Sequence, residues 1–301
     1  MRWRKRGRVF VPSGEKWWAR THAYLPTPVI RDNSIRVYFS GLDHAKVGRI
    51  GFVDLDPDDP TRVIAQSDEP ALDVGAPGTF DDSGANPSCF ITVDGLRYLL
   101  YIGWQRAQRV PYLLFCGIAV EQGEHFARTS NVPLLDRTND EPFVRSATTV
   151  IRTSDGWRMW YVSAIDWTDV GGLVPRYVIR SAESTDGRAW RTRTGVTIDF
   201  ESEDEYGFGR PWAMQDGRLT RLWYSIRSRT RPYRLGYAES TDGTNFFRCD
   251  HLAGLPASES GWDSEMICFG SVIDVEARRY LFYNGNGHGA TGFGVAELES
   301  D

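Results

Sequence analysis

The amino-acid sequence predicts an all-β fold, a single five-bladed β-propeller, from three observations. An aromatic-rich strand motif returns five times at intervals of about 60 residues, polar turns flank its copies, and no stretch carries amphipathic-helix periodicity. The copies are Ile35–Ser40, Arg97–Ile102, Trp157–Val162, Thr220–Ser225 and Arg279–Asn284. Each is a short apolar run bounded by turn residues, as a buried strand requires.

The flanks repeat in register with the motif. An apolar strand and a polar turn precede the first four copies: Pro28–Ile30 with Asp32-Asn33, Phe90–Val93 with Asp94-Gly95, Thr149–Ile151 with Asp155-Gly156, and Trp212–Met214 with Asp216-Gly217. Val272-Ile273 precedes the fifth. Asp-Gly between two such runs signals a hairpin, because the favoured turn needs φ > 0 at both central residues. A third strand follows each copy: Ile50–Val53, Cys116–Ala119, Ile179–Ala182, Leu235–Ala238 and Phe293–Ala296. Two of these run into near-identical turns, Glu183–Trp190 and Glu239–Phe246.

A β-solenoid would need a shorter period, and a sandwich would not repeat. The last unit has three strands before the chain ends, and the leftover strand, Arg8–Val11, sits near the start. It is expected to pair beside Phe293–Glu297 and close the ring. The expected organisation is one domain over residues 1–301, with blades near 20–70, 80–135, 143–198, 206–252, and 263–301 plus 7–12.

Composition agrees with a globular β protein. Eleven Trp, 13 Tyr and 15 Phe accompany 30 Gly and 15 Pro, and aromatics favour strands while Gly and Pro mark turns. The net charge of −5 and the scattered Arg residues give no reason to expect nucleic acid. No segment approaches a membrane helix and no apolar h-region follows the basic start, so a cytoplasmic location is expected. Cys89, Cys116, Cys249 and Cys268 form no CxxC pair and are expected to be free thiols.

Starts of first strands, 2–3 loops and ends of fourth strands share one face of such a fold, and there the chain is polar and aromatic. His22, Asp81, Asp82, Asn86, Arg145, Glu205, Arg210, Asp263 and Glu265 belong to the first-strand entrances. Trp104, Trp167, Arg227, Asn286 and His288 belong to the 2–3 loops. Carboxylates, arginines, amides and tryptophans around one funnel suit a carbohydrate, whose hydroxyls take hydrogen bonds and whose C–H faces take aromatic surface. Cleaving a glycosidic bond adds the need for two carboxyl groups, one protonated and one ionised.

Blander readings stand beside these. Asp81 and Asp82 precede a Ser-Gly turn and suit an Asx-turn. Asp263 could cap its turn, His22 could be a satisfied structural imidazole, and Trp104 and Trp167 could be packing aromatics. The Gly-rich run Asn284–Gly292 lacks the strand–loop–helix setting of a phosphate cradle. No cofactor and no metal ligand set is expected. Propeller centres can hold a single Ca²⁺ among carboxylates, but no constellation marks one here.

Nearly the whole chain resembles the five-bladed propeller glycosidases of glycoside hydrolase families 32, 43 and 130. It is most similar to a glycosidase-like branch with the motifs FDDSG.NPS (Phe80–Ser88), GRP (Gly209–Pro211) and GWDSEM…YNGNG.G.TGFG (Gly261–Met266, Tyr283–Gly294). The resemblance implies a glycosidase-type enzyme acting on a soluble sugar or sugar conjugate. Families 32 and 43 typically carry Asp, Asp and Glu at the inner-strand starts of blades one, two and three. Here blade two offers Asp81-Asp82, but blade one has His22 and blade three Arg145-Ser146. The expected catalytic set is therefore Asp82, Glu265, Glu205 and His22. Asp81, Asn86, Trp104, Arg145, Trp167, Arg210, Arg227, Asp263, Asn286 and His288 are expected to bind substrate. His22, Asp82, Arg210 and Glu265 should line one pocket. Two alternatives stay open: a non-hydrolytic biosynthetic enzyme using His22 and a carboxylate for proton transfer, and a catalytically silent carbohydrate-binding propeller.

Overall fold

The computed structural model describes residues 1–300. Its first strand, β1 (Arg2–Phe10), lies at the edge of a sheet built by the end of the chain. Between them the chain makes four similar units, each a run of antiparallel strands. The first holds β2 (Thr21–Arg31), β3 (Ser34–Leu42), β4 (Gly48–Leu55) and β5 (Val63–Gln66). The second holds β6 (Gly84–Val93), β7 (Leu96–Arg106), β8 (Tyr112–Gln122) and β9 (His125–Arg128). The third holds β10 (Arg145–Thr153), β11 (Gly156–Asp169), β12 (Leu173–Ser184) and β13 (Arg191–Thr192). The fourth holds β14 (Glu205–Asp216), β15 (Leu219–Ser228), β16 (Arg234–Ser240) and β17 (Phe247–Arg248). The last sheet runs β18 (Cys268–Val275), β19 (Arg278–Asn284), β20 (Phe293–Ser300) and then β1. The five aromatic-rich motifs lie in β3, β7, β11, β15 and β19, each the second strand of its unit.

Pairing of the N-terminal strand is more extensive than the four residues expected, running from Arg2 opposite Ser300 to Phe10 opposite Phe293. The basic start is strand because its alternation finds partners: Arg4 and Arg6 reach Glu297 at 2.9 and 3.0 Å, while buried Trp3 donates Nε1–H to the Ala253 carbonyl at 3.1 Å.

Most of the core lies between units. Trp18, Val37 and Phe39 of the first unit pack on Phe282, Phe293 and Val295 of the last, and equivalent apolar clusters join each consecutive pair. Hydrogen bonds stitch the inner strands in the same order. Ser40 donates to the Ala85 carbonyl, Ser88 to Thr148, Trp212 to Val272 and Ser271 to Pro26, while Thr149 accepts from the Ala213 amide. Backbone pairing links only the first four units, at Gly48–Gly84, Phe115–Arg145 and Tyr177–Gly207, whereas the last sheet meets the first unit through side chains, the Asn284 side chain adding to that join by accepting from the Leu25 amide at 2.8 Å.

The repeated motif also carries a buried polar element. The hydroxyls of Tyr101, Tyr161, Tyr224 and Tyr283 donate to Asp81, Glu141, Asp250 and Asp263 at 2.8, 2.9, 2.7 and 3.0 Å. A cation completes each group: Arg128, Arg145, Arg248 and Lys5. In the first unit Phe39 has no hydroxyl and Trp18 stacks on it instead. A buried carboxylate requires such partners. All four cysteines are free thiols, and Cys89, Cys116 and Cys268 are buried. Among the described residues, no helix is long and apolar enough to cross a membrane.

Candidate functional site

Every first strand breaks its ladder at the same point. Pairing slips between Tyr24 and Thr27, Pro87 and Cys89, Ser146 and Thr149, Gly209 and Trp212, and Cys268 and Ser271. Leu25, Ala147, Arg210 and Phe269 sit in these breaks with φ of 55°, 50°, 47° and 57°. With Pro87, each lies fourteen residues before the recurring aromatic of its unit (39, 101, 161, 224, 283). A left-handed non-glycine residue costs of order 1 kcal/mol or more, and bulges re-aim side chains. Here the four strained residues all line one cavity of about 540 Å³ at the meeting of the five units, within the usual range of small-ligand sites.

The wall is aromatic and cationic. Tyr24, Trp104, Tyr112, Tyr177, Tyr233 and Phe269 supply rings, and Lys46, Arg106, Arg210, Arg227 and His288 supply the titratable nitrogen groups. No Asp or Glu is among the lining residues. Asn86 fixes Trp104: with the amide oriented to satisfy its neighbours, its oxygen accepts from Trp104 Nε1 at 2.9 Å and its nitrogen donates to Ser40 and Ala85. Arg210 is 1% exposed. Its Nη2 donates to Thr27 Oγ1 at 3.0 Å and the Pro26 carbonyl at 3.2 Å, while its buried Nε and Nη1 have no partner. Burial pushes this guanidinium down to about 9, which still leaves it charged at neutral pH. Arg227 lies against the rings of Tyr177, Tyr206 and Tyr233, at 5.3, 4.7 and 6.0 Å from their centroids. At the margin, His22 stacks on Tyr24 at 4.8 Å, and His288 meets Tyr233 edge to face at 4.7 Å. Both imidazoles are held below their ordinary value by burial first. For His22 the charges of His288 and Lys46 add to this, and for His288 that of Arg227.

Of the expected site residues, Asn86, Trp104, Arg210, Arg227 and His288 line this cavity, and His22 lies beside it. The expected convergence of His22, Asp82, Arg210 and Glu265 on one pocket is not found. Asp82 accepts from the Gly78 amide, four residues upstream, and from the Ser83 hydroxyl, so it ties its own loop together without forming an Asx-turn. Glu265 is exposed on a separate depression with Arg231, His251 and Leu255. Glu205 is buried against Arg248, with contacts of 2.8 and 2.9 Å. Burial raises its carboxyl, but Arg248, the Glu201 amide and Arg234 outweigh that and hold it below its ordinary range, which is wrong for an acid catalyst. Asp81, Arg145 and Asp263 are engaged in the tyrosine–carboxylate groups. Trp167 packs edge-on to Phe143, and Asn286 ties its own loop to Gly261 and Glu265. None of these side chains lines the cavity. Among the described residues, no group of three or more His, Cys, Asp or Glu is placed to hold a metal ion.

Tyr112, Tyr177 and Tyr233 were not anticipated. Tyr112 opens β8, Tyr233 immediately precedes β16 and Tyr177 lies within β12, and a signal existed: a proline stands one or two residues before each, in Pro111-Tyr112, Pro175-Arg176-Tyr177 and Pro232-Tyr233.

No family model matches the chain. It is 37% identical over 302 residues, spanning all of both proteins, to the uncharacterized protein Rv1502 of Mycobacterium tuberculosis strain H37Rv. Among solved structures it is similar to a putative glycosidase from Bacteroides thetaiotaomicron, with a TM-score of 0.75 at 15% identity, covering 98% of this chain and 96% of that one. A thermostable family-43 glycoside hydrolase matches with a TM-score of 0.68 at 14% identity, covering 93% and 91%. A structure from the GH130 family, described as containing glycoside hydrolases that target β-1,2 mannosidic linkages in Candida mannan, matches at 0.74 and 15%, covering 98% and 93%. The chain therefore has the all-β fold of the propeller-type glycosidases and belongs to the family of the M. tuberculosis protein Rv1502.

Proposed function

We propose that this chain is a closed five-bladed propeller whose central cavity binds a carbohydrate without the paired-carboxylate chemistry of a glycosidase. The observation that carries this reading is the cavity lining, which has no Asp or Glu yet offers tyrosines, an amide and a tryptophan held in place by that amide. Hydrolysis by either glycosidase route needs two carboxyl groups flanking the bond, ~5–9.5 Å apart. Asp82, Glu205 and Glu265 are all outside the lining. What remains is equipment for holding a sugar: ring faces for its C–H surface, and the N–H donors of Arg210 and Arg227 that the protein leaves without acceptors for its oxygens.

A second reading, a non-hydrolytic sugar-modifying enzyme, is favoured by the two imidazoles beside the cavity. With lowered pKa values they are neutral at pH 7 and able to take up a proton.

Calorimetric or NMR titration with a panel of mono- and disaccharides tests the first reading, alongside assays with aryl glycosides. Binding that weakens at least about tenfold in Trp104→Ala and persists in Asp82→Asn and Glu265→Gln supports it, since a ring stacked on an aromatic is worth about 1–3 kcal/mol elsewhere. Glycoside cleavage that is lost in Asp82→Asn or Glu265→Gln overturns it. Turnover that survives both but is lost in His22→Gln or His288→Gln selects the second reading.

A further inference from the structure

The cavity holds two cations that the protein leaves unpaired. Arg210 is 1% and Arg227 7% exposed. Neither has a carboxylate partner among the described residues, although the other buried arginines Arg36, Arg145 and Arg221 all do. Among the described residues the only hydrogen bond from Arg227 is a long one, 3.4 Å from Nη1 to the Pro175 carbonyl, and its Nε is buried without a partner. Desolvating a charge costs several kcal/mol unless paired, so two such groups lining one cavity form an unusual concentration of uncompensated positive charge. Lys46 and Arg106 extend it, and no lining carboxylate offsets it.

A structural explanation would be that the tyrosines satisfy Arg227 by stacking. Aromatic contacts engage the flat faces of a guanidinium, whereas its five N–H donors lie in the plane and need acceptors. Those donors match one chemistry best: an oxyanion accepting two parallel hydrogen bonds. The cage comes from three different strands, Tyr177 on β12, Tyr206 on β14 and Arg227 on β15. A group presented this way is held by tertiary structure and does not wander as a surface arginine would.

We infer that the ligand of this cavity is an anionic sugar, one that carries a carboxylate or a phosphate group, and that Arg227 receives the anion while Arg210 adds a second positive charge to the same lining. The inference rests on the carbohydrate reading above and deepens it by assigning the charge. Free phosphate would offer the same oxyanion without a sugar ring, so the test separates the two.

The probes are glucose and galactose, glucuronic and galacturonic acid, the two hexose 6-phosphates, and inorganic phosphate alone, each titrated into wild type and Arg227→Met. The expected result is that at least one acidic sugar binds at least about tenfold more tightly than its neutral parent, weakens with added salt, and loses this advantage in Arg227→Met. The wild-type comparison of acidic and neutral sugars needs no variant, so misfolding of Arg227→Met leaves the test intact. Equal binding of neutral and acidic sugars overturns the anion assignment and leaves the carbohydrate reading standing. Binding of inorganic phosphate as tightly as any sugar phosphate, with no sugar acid bound, overturns the carbohydrate reading. Binding of none of the probes overturns both.

Discussion

Side chains of one chemical type divide here by what is across from them. Asp81 and Asp263 are held by tyrosine hydroxyls and cations, whereas Arg210 and Arg227 are cations for which the protein supplies no carboxylate. The histidines beside the cavity show the same logic in protonation. Burial, first, and then neighbouring positive charge hold His22 and His288 below 6.5. The unfolded chain takes up a proton near that value, while the folded chain does so only at lower pH. Their contribution to stability is thus complete above 6.5 and is lost as pH falls through the lowered folded values. A bound anion reverses the preference by stabilising the imidazolium forms, so binding takes up protons. Affinity for a sugar carboxylate, whose own charge is constant over this range, should therefore rise several-fold between about pH 7.5 and 5.5 while the free protein loses stability. Isothermal titration in buffers of different ionisation enthalpy measures the proton uptake. Uptake should shrink in His288→Gln, and an affinity that falls on acidification would contradict the assignment.

Strands β3, β7, β11, β15 and β19 are the repeating element, and their third-strand partners explain why small residues recur opposite the aromatics. Gly51, Gly117, Gly236 and Gly294 pair directly with Phe39, Tyr101, Tyr224 and Tyr283. A Cβ at Gly117 would come within 2.2 Å of the Tyr101 ring. Tyr101 is pinned by Asp81 and cannot swing aside, so Gly117→Ala should destabilise the protein by ~1–3 kcal/mol through overpacking. A lowered urea midpoint with an unchanged slope would report this, and a midpoint equal to wild type would show that the ring moves. The aromatic runs and Asp-Gly turns were legible in the sequence because a buried strand and a tight turn are local demands. The bulges at Leu25, Ala147, Arg210 and Phe269 were not. No residue type marks a left-handed non-glycine position, and the strain persists only because strands of adjacent units hold it.

At the scale of the whole molecule, the join between chain ends decides whether five units make one body. β1 supplies the outer strand of the last sheet, and its loss would leave the β20 edge open beside the exposed side of Trp262 and Leu298. An unpaired edge of this kind templates association. Removal of residues 1–11 should therefore give a protein that elutes as oligomers or aggregates on size exclusion and unfolds without a single cooperative transition. A monomeric truncation that melts as wild type does would show that the remaining strands close the structure unaided.

Repeat, strand order and turn positions were determined by the sequence alone, since each follows from periodicity within about 60 residues. The pairing of the first strand with the last was readable too, because counting strands left one unit short and one strand over. Only the tertiary structure decided which polar residues serve the cavity. Asp81 and Tyr101 are twenty positions apart, Lys5 and Asp263 more than two hundred, and Glu205 meets Arg248 across its own sheet. A carboxylate near a strand entrance has the same local sequence whether it faces a ligand or a buried tyrosine. Its role depends on the partner that folding brings to it, and these partners claimed Asp81, Glu205 and Asp263 while leaving Arg210 and Arg227 without one.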